Sequence, residues 1–185
     1  MTGIATAAAI AARGFKVFPI APNAKAPPLW ADWPNRSSTT LSPTWPEPSN
    51  VGIHCKGMIV LDVDVRNGGD ESFTALDLEY GLPDTLTART PTGGRHLFYA
   101  LPEGHPGVGN SAGKLGAGLD IKTTGGYVVG AGSRTAAGDY TWIDSEVGIA
   151  PAPEWLVLKL GTIVPNLRTS HSGAGAIPTS ESIQV

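Results

Sequence analysis

Apolar positions along this chain come in short bursts whose period changes from segment to segment. Residues 4–13 are dominated by alanine, the best helix former, and Gly14 stands where a helix ends in a glycine, so a first helix is predicted there. Phe15 to Ile20 reads as a strand. Residues 21–50 carry no periodicity and are rich in proline, serine, threonine and tryptophan. They read as a long loop with room for one short helix, which Trp30, Trp33 and Trp45 keep ordered. Asn50 to His54 is a short strand. Residues 57–65 form the most hydrophobic segment and predict a central strand buried on both faces. Glu71 to Tyr80 has Phe73, Leu76 and Tyr80 at helical spacing, with Gly81 as the stop. Strands follow near 85–90 and 95–101, then a glycine-rich stretch over 104–118. Further strands are expected at 119–123, 127–131 and 140–143, and a closing helix at 154–160, begun by Pro153. After Gly161 the apolar periodicity stops.

This alternation predicts a mixed α/β fold (α+β), with one domain over residues 1–161 and a linker or tail over 162–185 that leads toward a longer protein. Composition supports many short elements. Glycine (24) and proline (16) are abundant enough in 185 residues to rule out a helical bundle. One cysteine, Cys55, rules out an internal disulfide and a cysteine-rich zinc site, and it suits a reducing cytoplasm. The apolar run Ala7 to Ala12 is too short to span a bilayer and lacks the flanks of a signal peptide, so no membrane association is expected. A formal charge of −3 argues against a simple cationic coat for nucleic acid, but the charge is divided. Residues 62–84 hold seven acids against Arg66, whereas residues 89–134 hold five bases against Glu103 and Asp120.

The acids concentrate chemistry. Asp62 and Asp64, two apart on a strand, leave the same face, about 6.6 Å apart at the usual rise per residue. The odd positions Ile59, Leu61, Val63 and Val65 point to the other face and anchor the strand. Such a pair suits two hard divalent cations, Mg²⁺ or Mn²⁺, and equally suits a strand end that turns toward Asn67-Gly68-Gly69. Gly93-Gly94-Arg95-His96 delivers a strand through a tight turn. Arg95 can fork a phosphate and His96 can donate to an anion, or the segment is only a hairpin entry. Asp120 and Lys122 share a strand face, as a third metal ligand with a phosphate-facing amine or as a plain surface pair. Ser133, in Gly132-Ser133-Arg134, suits a phosphate contact or an ordinary turn.

Taken together and in order, these segments resemble the catalytic domain of bifunctional primase-polymerases of the phage and plasmid type, within the archaeo-eukaryotic primase superfamily. The resemblance rests on the hydrophobic strand with Asp62-x-Asp64, on Gly93-Gly94-Arg95-His96-Leu97-Phe98-Tyr99, and on Leu119-Asp120-Ile121-Lys122. Gly125-Gly126-Tyr127-Val128-Val129, Gly132-Ser133, Arg13-Gly14-Phe15, Lys25-Ala26-Pro27 and the stretch from Thr39-Thr40 to Trp45 extend it over about residues 4–145. It implies a mixed sheet like that of the RNA-recognition motif, packed with an N-terminal α/β unit. It implies that Asp62, Asp64 and Asp120 bind two divalent cations and that His96 meets the triphosphate of an incoming nucleotide. Arg95, Lys122 and Ser133 become phosphate neighbours, and Lys25 occupies a family position without an assigned role. The implied activity is template-dependent DNA polymerase and primase. Its implied partners are single-stranded DNA template, primer, dNTP or NTP, and a helical accessory or helicase region beyond the tail. Related proteins carry a zinc-binding stem; with one cysteine this chain departs there, and no zinc is expected. A metal-dependent nuclease and a non-catalytic replication-initiation module are the alternatives.

Overall fold

The computed structural model describes residues 3–105 and 107–163. Its elements are α1 (Gly3–Ala11), β1 (Val17–Ile20), α2 (Trp33–Arg36), β2 (Asn50–His54), β3 (Met58–Val63), a 3₁₀ turn (Val65–Asn67) and α3 (Gly69–Tyr80). They continue with β4 (Thr87–Arg89), β5 (Arg95–Ala100), β6 (Ser111–Ala112), β7 (Leu119–Lys122), β8 (Tyr127–Val129), β9 (Arg134–Thr135), β10 (Gly138–Asp139), β11 (Thr141–Trp142), β12 (Ala150–Pro151) and α4 (Glu154–Ile163).

Two sheets build the molecule. A large sheet runs in the order β11-β4-β5-β3-β7-β6, and β12 pairs in parallel with the end of β5. A small antiparallel sheet has the order β1-β2-β8, and β9 with β10 forms a separate ribbon. The chain returns from β8 to the large sheet at β11 by way of that ribbon, and it crosses directly between the sheets from β2 to β3 and from β7 to β8. Both crossings meet where the Cys55 N–H donates to the Gly126 carbonyl, at 3.1 Å.

Strand β3 shows why the large sheet sits at the centre. Its odd residues Ile59, Leu61 and Val63 are fully buried against Leu76 of α3 and Leu156 and Leu160 of α4. Its even residue Val60 packs with Phe98 and Ala88 into the other core, shared with α1, the small sheet and Tyr140. The fold is the expected mixed α+β.

The elements differ from the sequence reading at several places. The central strand ends at Val63, because the Asp64 carboxylate accepts the Arg66 N–H and turns the chain into the 3₁₀ segment. Val65 is therefore only half-buried. The two-residue strands β6, β9, β10 and β12 were not expected, since a pair of residues carries no period. Helix α4 runs to Ile163, so the tail expected from residue 162 begins inside it, and residues 164–185 lie outside the described residues. The long loop is ordered as expected. It holds α2, bridges β1 at Ser38 and Pro28, and is packed by Trp30 against Trp45 with ring centroids 5.4 Å apart.

Candidate active site

Strand register, rather than sequence proximity, builds the site. In the antiparallel ladder Asp62 of β3 lies opposite His96 of β5 on one side and Asp120 of β7 on the other. Directly opposed residues share a face, so the three form one row across three strands. Asp64 joins them from the strand end, where its N–H donates to the Gly118 carbonyl at 2.8 Å. All four line one cavity, rimmed by Lys25, Arg66, Asn67, Thr90 and Thr92.

The electrostatics of the row are uneven. Burial pushes the Asp62 carboxyl up to about 6; Lys122 and Lys25 pull it back, while Asp120 and Asp64 push it further. For Asp64, burial acts upward but is outweighed by the Arg66 N–H, the Arg66 guanidinium and the Asn67 amide, which hold it below the ordinary carboxylate value. Asp120 accepts the Gly113 N–H at 3.2 Å and pairs with the Lys122 ammonium at 3.2 Å. His96 is held neutral: burial, then Lys25 and Lys122, lower its pKa to about 3. Its Nε2 stands 3.5 Å from Asp62 Oδ1, and its buried Nδ1 has no hydrogen-bond partner among the described residues.

Three carboxylates on one cavity wall form an all-oxygen donor set, which fits hard divalent cations rather than zinc. Among the described residues no three His, Cys, Asp or Glu side chains stand as a ready-made cation cage. Asp64 and Asp120 are instead engaged by Arg66 and Lys122, cations of the chain itself. Among the described residues no helix is long and apolar enough to cross a membrane.

Of the residues singled out from sequence, Asp62, Asp64, Asp120 and His96 meet in the cavity, and Lys122 lines the crevice that continues from it. Arg95 does not. Strand β5 begins at Arg95, so alternation sends it to the opposite face from His96. There it pairs with Asp70 at 2.7 Å and lies over the Phe73 ring. Ser133 is buried away from the acids, and its Oγ accepts the Val51 N–H at 3.0 Å, tying β2 to the turn after β8. Residues that sequence reasoning passed over are Arg66, Asn67, Thr90 and Thr92 at the rim, and Tyr140 in the crevice. The first two follow the Asp-x-Asp pair directly and could have been flagged. Tyr140 carried no local signal.

The model of the N-terminal domain of bifunctional DNA primase/polymerases matches residues 7–155, a span that includes the entire acidic row and both sheets. Comparison with curated proteins gave no match. By that match over most of its length, the chain belongs to the bifunctional DNA primase/polymerase N-terminal family.

Proposed function

We propose that this domain is a template-dependent DNA polymerase with primase capacity, in phage or plasmid replication, and that it works by two-metal nucleotidyl transfer. The observation that carries the reading is the row Asp120–Asp62–His96, with Asp64 at its end. Asp62, Asp64 and Asp120 would hold two Mg²⁺ or Mn²⁺ ions. When bound, such ions lower the pKa of the attacking 3′-hydroxyl and neutralise the departing pyrophosphate.

The chain's own residues supply position and a polarised wall. Asp62 is fixed by its cross-strand neighbours, so the acceptor oxygens have little freedom to reorganise. His96 is neutral and buried, with Nε2 beside Asp62, which suits hydrogen bonding to a phosphate oxygen rather than proton transfer. Lys122 faces the crevice and suits the triphosphate once its hold on Asp120 relaxes. The partners are single-stranded DNA, a primer terminus, dNTP or NTP, and a helicase or helical accessory region in the whole protein. The setting is the cytoplasm.

Primer extension on a single-stranded template with Mg²⁺ or Mn²⁺, with and without a supplied primer, tests this. Templated growth is expected. Shortening of the primer would assign a nuclease, and binding without turnover an initiation module.

A further inference from the structure

Beside the acidic pocket the crevice runs on between the two sheets. Lys122, Tyr127, Val129 and Tyr140 line it, and Lys25, Asp62 and His96 are walls common to both parts. One half thus adds Asp64 and Asp120 with Arg66, the other adds Lys122 with two tyrosines, and Lys25 stands at the seam.

Lys25 reaches this place from outside the catalytic strands, on the loop between β1 and α2. Its backbone is pinned from three directions. The Asn50 amide donates to the Ala24 carbonyl at 2.9 Å, the Tyr127 hydroxyl to the Lys25 carbonyl at 3.2 Å, and the Ala21 N–H to the Pro27 carbonyl at 3.0 Å. None of these bonds holds the ammonium. Of the Lys and Arg side chains lining the two halves, Arg66 pairs with Asp64 and Lys122 with Asp120. Lys25 alone has no carboxylate within ion-pair distance among the described residues.

An anchored backbone carrying an unpaired ammonium over a cleft is arranged for an anionic ligand. Lysine, a point charge on a long stem, suits a phosphate whose oxygens present no fixed fork. With Arg66 held by Asp64, and the acids reserved for the cations they would hold, the ligand's charge sits at the seam beside His96, between Lys25 and Lys122. We propose that Lys25 binds the triphosphate of the incoming nucleotide, and that the Tyr127 hydroxyl is a positioning group for it. The inference rests on the nucleotidyl-transfer reading above.

Calorimetric titration with a non-hydrolysable dNTP, and separately with the deoxynucleoside, in Mg²⁺, tests it on wild type, Lys25→Ala, Lys25→Arg and Tyr127→Phe. Steady-state primer extension runs alongside. Lys25→Ala is expected to weaken triphosphate binding and raise the nucleotide KM by about tenfold or more, as for a lost charge-assisted hydrogen bond, while kcat changes little. Lys25→Arg should recover most of that loss, and Tyr127→Phe should show a smaller loss of the same kind. Deoxynucleoside binding should not respond to Lys25→Ala. Wild-type triphosphate affinity in Lys25→Ala, or equal loss of triphosphate and deoxynucleoside affinity, would overturn the proposal. A wild-type domain that binds triphosphate but never extends primers would instead break the polymerase reading, and leave the Lys25 comparison intact.

Discussion

The two faces of the central sheet are made by the same strands and do opposite work. Behind it, Ile59, Leu61, Val63, Leu119 and Ile121 meet α3 and α4 with no exposure at all. In front, the ladder begins equally dry at Val60 and Phe98, then two residues further along β3 it becomes Asp62, flanked by His96 and Asp120. The back face is stability. The front face spends some of that stability on a half-buried carboxylate crowded by two others. Side-chain alternation along a single strand separates a core from a site by one residue.

Breaking the front face should cost the most. Asp62→Asn keeps shape and burial but removes the central charge, so incorporation is expected to fall by about ten-thousandfold, as when one member of a catalytic unit is lost. The same change removes a buried charge and its repulsion from Asp120 and Asp64. Thermal unfolding in chelator should therefore show the metal-free variant more stable than wild type by about 1–2 kcal/mol. Equal activity would sink the site, and lower stability would sink the electrostatic account. Leu61→Ala, one residue away on the other face, should do the reverse. It is expected to lose about 2–5 kcal/mol in denaturant unfolding, as for a large-to-small change in a full core. The nucleotide KM of the folded fraction should stay at its wild-type value.

Period-two patterning made that division legible before any coordinates. It gave β3 and the shared face of Asp62 and Asp64. Helix α3 was equally clear, because apolar spacing and a glycine stop agreed. What the chain did not display was pairing across sequence distance. Nothing local says that Asp120 lies opposite Asp62, that Arg95 leaves the site to pair with Asp70, or that Ser133 closes a backbone bond to Val51. Lys25 is the sharpest case. Its place depends on a loop tied to Asn50 and Tyr127, far along the chain. The smallest strands escaped because two residues cannot establish a period.

The hinge between the faces is Asp64, where β3 stops. Its backbone is enclosed by Gly118, at φ 66°, and a Cβ there would stand 2.6 Å from the Asp64 carbonyl oxygen and 2.5 Å from the Gly69 nitrogen. Backbone at both points cannot yield, and the positive φ adds strain for any other residue. Gly118→Ala is thus expected to shift Asp64 against Asp62 and lower kcat by about ten- to a hundredfold, as a displacement on the ångström scale does. Primer extension reads this directly. Unchanged kcat would show that the position of Asp64 tolerates movement, and the metal reading would then lose one of its three carboxylates.

The last and smallest test sets the two buried histidines against each other. His96 opens Nε2 to the cavity, whereas His54 belongs to the small sheet, its Nδ1 2.7 Å from Ser37 Oγ and its ring edge-on to Trp33. Burial, then Lys16 and Lys56, lower the His54 pKa below its ordinary 6.5. The folded state therefore binds fewer protons than the unfolded chain as the medium turns acid. The stability this contributes is complete above pH 6.5 and is lost as pH falls below it toward the folded-state value. His54→Asn preserves a polar atom near Nδ1 but cannot take up the proton. It should lose about 1 kcal/mol at neutral pH, from thinner packing against Trp33, and show a flatter decline below pH 6.5 in urea unfolding. Its nucleotide KM should match wild type, since His54 lines neither part of the crevice. An acid limb as steep as wild type would mean that His54 is not the group that titrates, and a raised KM would tie the small sheet's interior to the acidic face.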